Sequence, residues 1–342
     1  MAAGMNGGWI TPTLEIALAL VPVVLFLASL VWLDSYKLVT LRGVLQMLAA
    51  GALAAAASWV VNHAIGAEMD PGLVRRWVAP LVEETIKAVP LLLLLRRGRV
   101  GFLVDAVIFG YAIGTGFALI ENIYYLWAFP GSSPLLWLIR GVGTAVMHGA
   151  TTAMLALATV ALQGRRQSDS LALALPGLAG AILLHSAFNH FVIPPLFSAI
   201  LMMLVLPPLL VLVFAQSERY LRDWLGTGFD LDSDLLRLMQ AGDFESSQPG
   251  RYLASLRARF DGTTVADMLC YLKLQAELSL QAKGLLMLRE TGFETRKDPA
   301  VRGKLEELRF LESSIGKTGF LALRPVLRTT RHDVWERHLL MD

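Results

Sequence analysis

The chain has 342 residues, 55% hydrophobic and only 17% charged, with a formal net charge of +2 and a mean hydropathy of +0.55. So apolar a composition excludes an ordinary soluble protein and points to a chain that crosses a membrane several times. The small net charge gives no basis for nucleic-acid binding, and a single cysteine, Cys270, excludes an intramolecular disulfide.

Met1 to Thr13 contains no Lys or Arg, so it lacks the basic start of a cleavable signal peptide, and the first apolar run reads as a retained helix. Crossing about 30 Å of hydrocarbon takes about 20 helical residues. Runs of that kind are predicted over 12–33, 41–61, 73–95, 102–129, 135–162, 171–193 and 196–215, about seven spans in all. The second is alanine-rich around Ala49 to Ala57, which suits packing inside a bundle or a strong tilt. Lys37, Arg42, Arg96, Arg97, Arg99, Arg165, Arg166, Arg219 and Arg222 flank the spans on one side of the membrane. Arg75, Arg76 and Arg140, with Glu68 and Asp70, fall on the other. The positive-inside rule then predicts a multi-pass cell-membrane protein with its N-terminus outside and its C-terminus in the cytoplasm. Trp9, Trp59, Trp77, Trp127 and Trp137 near outer span ends and Trp32 near an inner one form the expected aromatic belts.

After about Gln216 charged and apolar residues alternate as in soluble helices, which divides the chain into a transmembrane domain, 1–216, and a cytoplasmic helical domain, 217–342. Leu235, Leu236, Met239, Leu253 and Leu256 recur at helical spacing. A long helix is expected over 265–290, capped by Thr263 or Thr264 and followed by Gly292, and Asp298-Pro299 opens another through about Ser313. His332 and His338 read as surface residues, and the domain's mixed charges suit a regulatory or partner-binding role. The fold class is therefore all-α: a polytopic helix bundle followed by a small soluble helical domain.

The chemistry lies in the third to sixth spans. A carboxylate at the bilayer centre costs about 2.5 to 3.5 kcal/mol on insertion scales. Glu83 and Glu84 nonetheless stand side by side in the third span, with Lys87 at i,i+4 and i,i+3 from them. Glu121 follows the small-residue stripe Gly110, Gly114, Ala118, which admits a close neighbour helix. His148 has Thr144, Thr151 and Thr152 at helical-neighbour spacing, and His185 shares a helix face with Asn189. Counted from the outer span ends, these groups lie at overlapping depths in the outer half of the bilayer, so they can share one pocket. Each has a plainer reading as a packing ion pair, a snorkelling carboxylate or a satisfied histidine.

In order, Glu83-Glu84-Thr85-Ile86-Lys87 forms EExxK, Phe117 to Glu121 forms FxxxE, His148 stands alone in the next helix, and His185 to Asn189 forms HxxxN. This series, over residues 73–191, resembles the PrsW family of intramembrane proteases, relatives of the CAAX prenyl endopeptidases and bacteriocin-processing enzymes. The CAAX branch ends its second motif in histidine where Glu121 stands here, which makes prenylated substrates an unlikely class. The resemblance implies peptide-bond hydrolysis of a membrane-anchored protein near the extracytoplasmic face, an anti-sigma factor being the substrate of PrsW relatives. It also implies Glu83, Glu84, Lys87, Glu121, His148, His185 and Asn189 as the catalytic set. Glu83 is the preferred general base.

Two mechanisms stay open at this point. In one, Glu121, His148 and His185 hold a Zn2+ ion with water in the fourth position. In the other, Glu83 activates water without a metal while His185 and Asn189 donate hydrogen bonds to the oxyanion. An ion-coupled transporter and a non-enzymatic membrane scaffold are the alternatives in other classes, although no repeated half or paired interrupted span supports a carrier.

Overall fold

The computed structural model describes residues 10–166, 168–293, 298–327 and 331–341, and among them every regular element is helical. Trp9 lies outside the described residues, as does the side chain of His332. The helices are α1 (Ile10–Trp32), α2 (Leu41–Gly66), a single turn α3 (Pro71–Leu73), α4 (Ala79–Arg96) and α5 (Leu103–Ala128). They continue with α6 (Pro134–Ile139), α7 (Ala145–Arg166), α8 (Leu175–Asn189), α9 (Pro195–Ala241), α10 (Gln248–Leu256), α11 (Gly262–Glu290), α12 (Ala300–Leu323) and α13 (Arg331–Met341). π-helical turns join α3 to α4 (Val74–Val78) and α6 to α7 (Arg140–Thr144). Both interruptions fall in the segments that carry polar residues, where such turns are frequent in functional helices.

Side chains set the helix starts. Thr40 Oγ1 accepts from the Gly43 N–H (3.1 Å) and Asp70 Oδ1 from that of Leu73 (2.8 Å), satisfying donors that have no partner within their own helix. Asp105 performs the same service from inside the first turn of α5, accepting from Gly101 (2.8 Å) and Phe102 (2.9 Å).

The chain divides into two compact units, Met1–Asp34 with Leu38–Ser217 and Ser35–Lys37 with Glu218–Asp342. Among the described residues of the chain, six helices are long and apolar enough to cross a membrane: Pro12–Trp32, Leu41–Gly66, Leu103–Ala128, Pro134–Arg166, Leu171–Asn189 and Pro195–Ala241. α4, the remaining expected span, is shorter and carries Glu83, Glu84 and Lys87, which take it out of that count. The burial of the first unit is inverted relative to a soluble protein. Leu53 is 71% exposed and Leu204 67%, whereas Glu84, Lys87, Thr152 and His148 are buried. An apolar exterior with ionisable groups inside is what a hydrocarbon solvent selects. Trp32, Trp59, Trp77 and Trp127 are exposed, but Trp137, expected in the outer belt, is wholly buried.

α5 is the central helix of this unit, packed most extensively on α7 and α2. Gly114 of α5 lies against the backbone of His148, where an added Cβ would stand 2.1 Å from the His148 carbonyl oxygen. Gly51 of α2 meets Ile113 of α5 the same way, at 1.9 Å from its carbonyl oxygen. Close backbone approach of this kind is the use that membrane helices make of small residues. It accounts for the buried Ala54, Ala55 and Ser58 in the alanine-rich α2.

The second unit has its own core, in which Leu253, Leu256, Met268, Tyr271, Leu272, Leu305 and Leu308 are buried together. α11 starts at Gly262 rather than at Val265, with Asp261 in the cap position, and ends before Gly292, whose φ of +79° suits a residue without a Cβ. α12 runs ten residues past the expected Ser313, to Leu323, with a break at Gly316 (φ +68°) that the sequence spacing does not announce. Lys283 is buried in this unit on Asp232 (2.6 Å), Glu336 (3.4 Å) and the Ser279 hydroxyl (2.6 Å). His338 is half-buried rather than superficial.

Candidate active site and metal centre

The glutamate pair divides its labour because adjacent helical residues point about 100° apart. Glu84 faces inward and is wholly buried: its Oε1 binds Lys87 Nζ (2.6 Å), His185 Nδ1 (2.8 Å) and lies 3.3 Å from the Thr151 hydroxyl. Lys87 therefore pairs with Glu84 at i,i+3, not with Glu83 at i,i+4. Glu83 faces a cavity of about 900 Å³, where Oε1 accepts from Asn62 Nδ2 (3.2 Å) and Oε2 stands 3.8 Å from His185 Nε2. Glu121, Arg140 and His148, with His63, Arg75 and Thr144, are among the other polar groups lining the cavity, and Trp59, Val60, Ile120 and Phe188 supply apolar walls.

The two imidazoles meet edge to face, with ring centroids 4.8 Å apart. His185 gives its Nδ1 proton to the Glu84 carboxylate, which leaves the lone pair of Nε2 turned towards Glu83. His148 has Lys87 Nζ at 3.3 Å from Nδ1 and Glu121 Oε2 at 3.1 Å from Nε2. An ammonium can only donate, so Nδ1 accepts from Lys87 and Nε2 carries the proton towards Glu121. Phe117 closes the other side, 4.9 Å from the His148 ring and 5.0 Å from Lys87 Nζ between centroid and partner.

All of the residues singled out in the sequence except Asn189 form one continuous set of contacts. Asn189 also lines the cavity, but its amide donates to the Arg75 carbonyl (3.0 Å), as the Ser186 hydroxyl does to that of Arg76 (2.6 Å). HxxxN thus fastens α8 to the π-helical turn before α4, and the imidazole is oriented by Glu84 instead. The donor atoms that lie within 4.8 Å of one another belong to Glu83, His148 and His185. Glu121, the carboxylate expected among the metal ligands, is engaged with His148 and with Arg140 Nη2 (3.2 Å).

The residues fit a metal ion. Two imidazoles and a carboxylate with an open fourth position are a common catalytic zinc set, and a carboxylate behind a ligating histidine, as Glu84 stands behind His185, fixes its ring and tautomer. Ligation through His148 Nε2 requires the other tautomer: Nε2 loses its proton, which Glu121 is placed to receive, and Nδ1 gains one, for which Lys87 Nζ at 3.3 Å is the donor beside it.

Sequence reasoning missed Asn62, Asn122 and Arg140. Asn122 is buried, donates to the Ala19 carbonyl (2.7 Å) and accepts from Arg140 Nε (3.0 Å). The criterion that found Glu121, a polar group in an apolar run, also marks Asn122. Arg140 carried no such mark, because an arginine near a span end is ordinary.

No curated protein and no solved structure matches the chain. A family model described as PrsW family intramembrane metalloprotease matches residues 36–213, more than half of its length and every helix that lines the cavity. The chain belongs to the PrsW family of intramembrane metalloproteases and is a multi-pass membrane peptidase.

Proposed function

We propose that this chain cleaves a membrane-anchored protein near the extracytoplasmic face, with a zinc ion held by Glu83, His148 and His185 and with Glu121 as general base. The observation that carries the reading is the gathering of those three donors in the wall of a cavity whose other carboxylate, Glu121, lies next to them. Zinc, when bound, would lower the pKa of a water ligand and polarise the scissile carbonyl. Glu121 Oε2, next to the three donors, would take a proton from water and later return it to the leaving amide nitrogen. Glu84 and Lys87 stay behind the wall, where Glu84 fixes His185 through Nδ1 and Lys87 balances the buried charge. Relative to the sequence reading, Glu83 and Glu121 exchange roles, because Glu83 and not Glu121 shares the ligand distance with both histidines.

The apolar flanks of the cavity suit an unwound apolar segment, and a single-span anti-sigma factor is the substrate that the family points to. The flanking Lys and Arg support an outside N-terminus and a cytoplasmic 217–342 segment with a regulatory partner. Purified protein incubated with single-span candidates, chosen by which membrane proteins accumulate when the chain is deleted, tests the reading. Cleavage is expected to stop with a chelator and in Glu83→Gln and His185→Ala, both of which lose bound metal. Glu121→Gln should keep its metal and fold and lose about 10² to 10⁴ in kcat. Cleavage unaltered in Glu83→Gln or His185→Ala rejects the assignment.

A further inference from the structure

Peptide hydrolysis builds negative charge on the carbonyl oxygen, and of the two amide protons that the HxxxN motif offers for it one is bonded to the Arg75 carbonyl. Resting on the reading of this cavity as the cleavage site, the geometry points to Arg140 as the group that binds the tetrahedral oxyanion, with Asn122 as its positioning residue. Four observations converge on it. Arg140 lines the cavity together with the candidate metal ligands and Glu121. Its Nη2 is buried and ion-paired with Glu121 Oε2 at 3.2 Å but out of hydrogen-bond geometry, so its N–H bonds are not committed to that carboxylate. The rest of the group is immobilised: Nε donates to Asn122 Oδ1 (3.0 Å), Asn122 is itself tied to the Ala19 carbonyl, and the guanidinium carbon sits 3.8 Å from the centre of the Tyr125 ring. Arg140 also opens the π-helical turn Arg140–Thr144, a local widening that changes where its side chain leaves the helix. A cation preset in this way needs no reorganisation when charge develops, the condition under which such donors act most strongly. Its pairing with Glu121 further places the charge beside the atom that moves the proton.

The test uses the full chain purified in detergent, a single-span reporter that the unmodified chain cleaves, and a phosphinic peptide of the reporter's cleavage sequence, which presents a tetrahedral anion. Arg140→Gln should lower kcat by about 10² to 10³ with KM and bound metal little changed. The phosphinic peptide should lose affinity by a similar factor while the cleaved product binds as before. Arg140→Lys keeps the charge but not the fork geometry and should fall between the two, and Asn122→Ala should lower kcat and phosphinic affinity together. A kcat equal to that of the unmodified chain in Arg140→Gln overturns the assignment. So does a parallel loss of product and phosphinic binding, or of metal, in both Arg140 variants, since that marks a structural role. Should Arg140→Gln fail to fold, undiminished phosphinic affinity in Arg140→Lys and Asn122→Ala overturns it equally. If the unmodified chain cleaves no single-span protein at all, the reading of the cavity falls, and this assignment with it.

Discussion

Glu84 is the residue whose role changes most between sequence and structure. As one of two neighbouring glutamates it is indistinguishable from Glu83 by motif, yet it is wholly buried, bonded to Lys87 and His185, and absent from the cavity wall. In the proposed reading it is a positioning residue. Glu84→Gln keeps the shape and removes the charge that holds His185 in its tautomer, so metal affinity should fall about 10- to 100-fold, as measured by competition with a fluorescent chelator. Affinity equal to that of the unmodified chain would show that His185 is oriented by something else. Asn62 holds Glu83 by one amide proton donated to one carboxylate oxygen.

Among the elements, the contact of α5 with α7 sets the accuracy of the site. The stripe Gly110, Gly114, Ala118 was legible from four-residue spacing alone, and its meaning is that the backbone carrying His148 can come within contact distance of α5. With Gly114→Ala a methyl group would stand 2.1 Å from the His148 carbonyl oxygen, and because that neighbour is backbone the two helices must separate. The expected cost is about 1–3 kcal/mol of stability, read from thermal unfolding in detergent, together with a loss of cleavage greater than unfolding explains. The π-helical turns at Val74–Val78 and Arg140–Thr144 were not legible. They depend on which carbonyl each N–H selects after the helices have packed, and hydrophobic periodicity carries no trace of that choice.

At the scale of the whole molecule each of the two units has a core of its own. The first exposes leucines and hides ions; the second buries Leu253, Leu272, Leu305 and Leu308 around Tyr271. Burial pushes the Tyr271 phenol up from 10.0 to about 12, opposed by the Arg337 guanidinium, whose Nη2 donates to the phenolic oxygen (2.9 Å). A raised folded pKa means that the neutral phenol belongs to the native state. Its contribution is complete below pH 10, where the unfolded chain also holds the proton, and is lost as pH climbs towards 12. About two pK units correspond to roughly 2–3 kcal/mol. The unfolding free energy of this unit, followed by circular dichroism, should therefore fall over that interval, and Tyr271→Phe should remove most of the slope. A slope unchanged in Tyr271→Phe would assign it to other groups.

The amino-acid sequence by itself determined the class of the protein: apolar runs of span length, the order EExxK, FxxxE, H and HxxxN, and the stripe on α5 suffice for a helical membrane peptidase of the PrsW family. These signals survive in one dimension because helical periodicity and the cost of polar groups in hydrocarbon act locally. Which glutamate of the pair faces the cavity, that Glu83 rather than Glu121 lies with both histidines, that Asn189 binds backbone, and that Arg140 points inwards were decided only by tertiary structure. Each depends on the rotation and separation of helices distant in sequence, and a turn of 100° per residue makes neighbours with the same chemistry end on different sides of a wall.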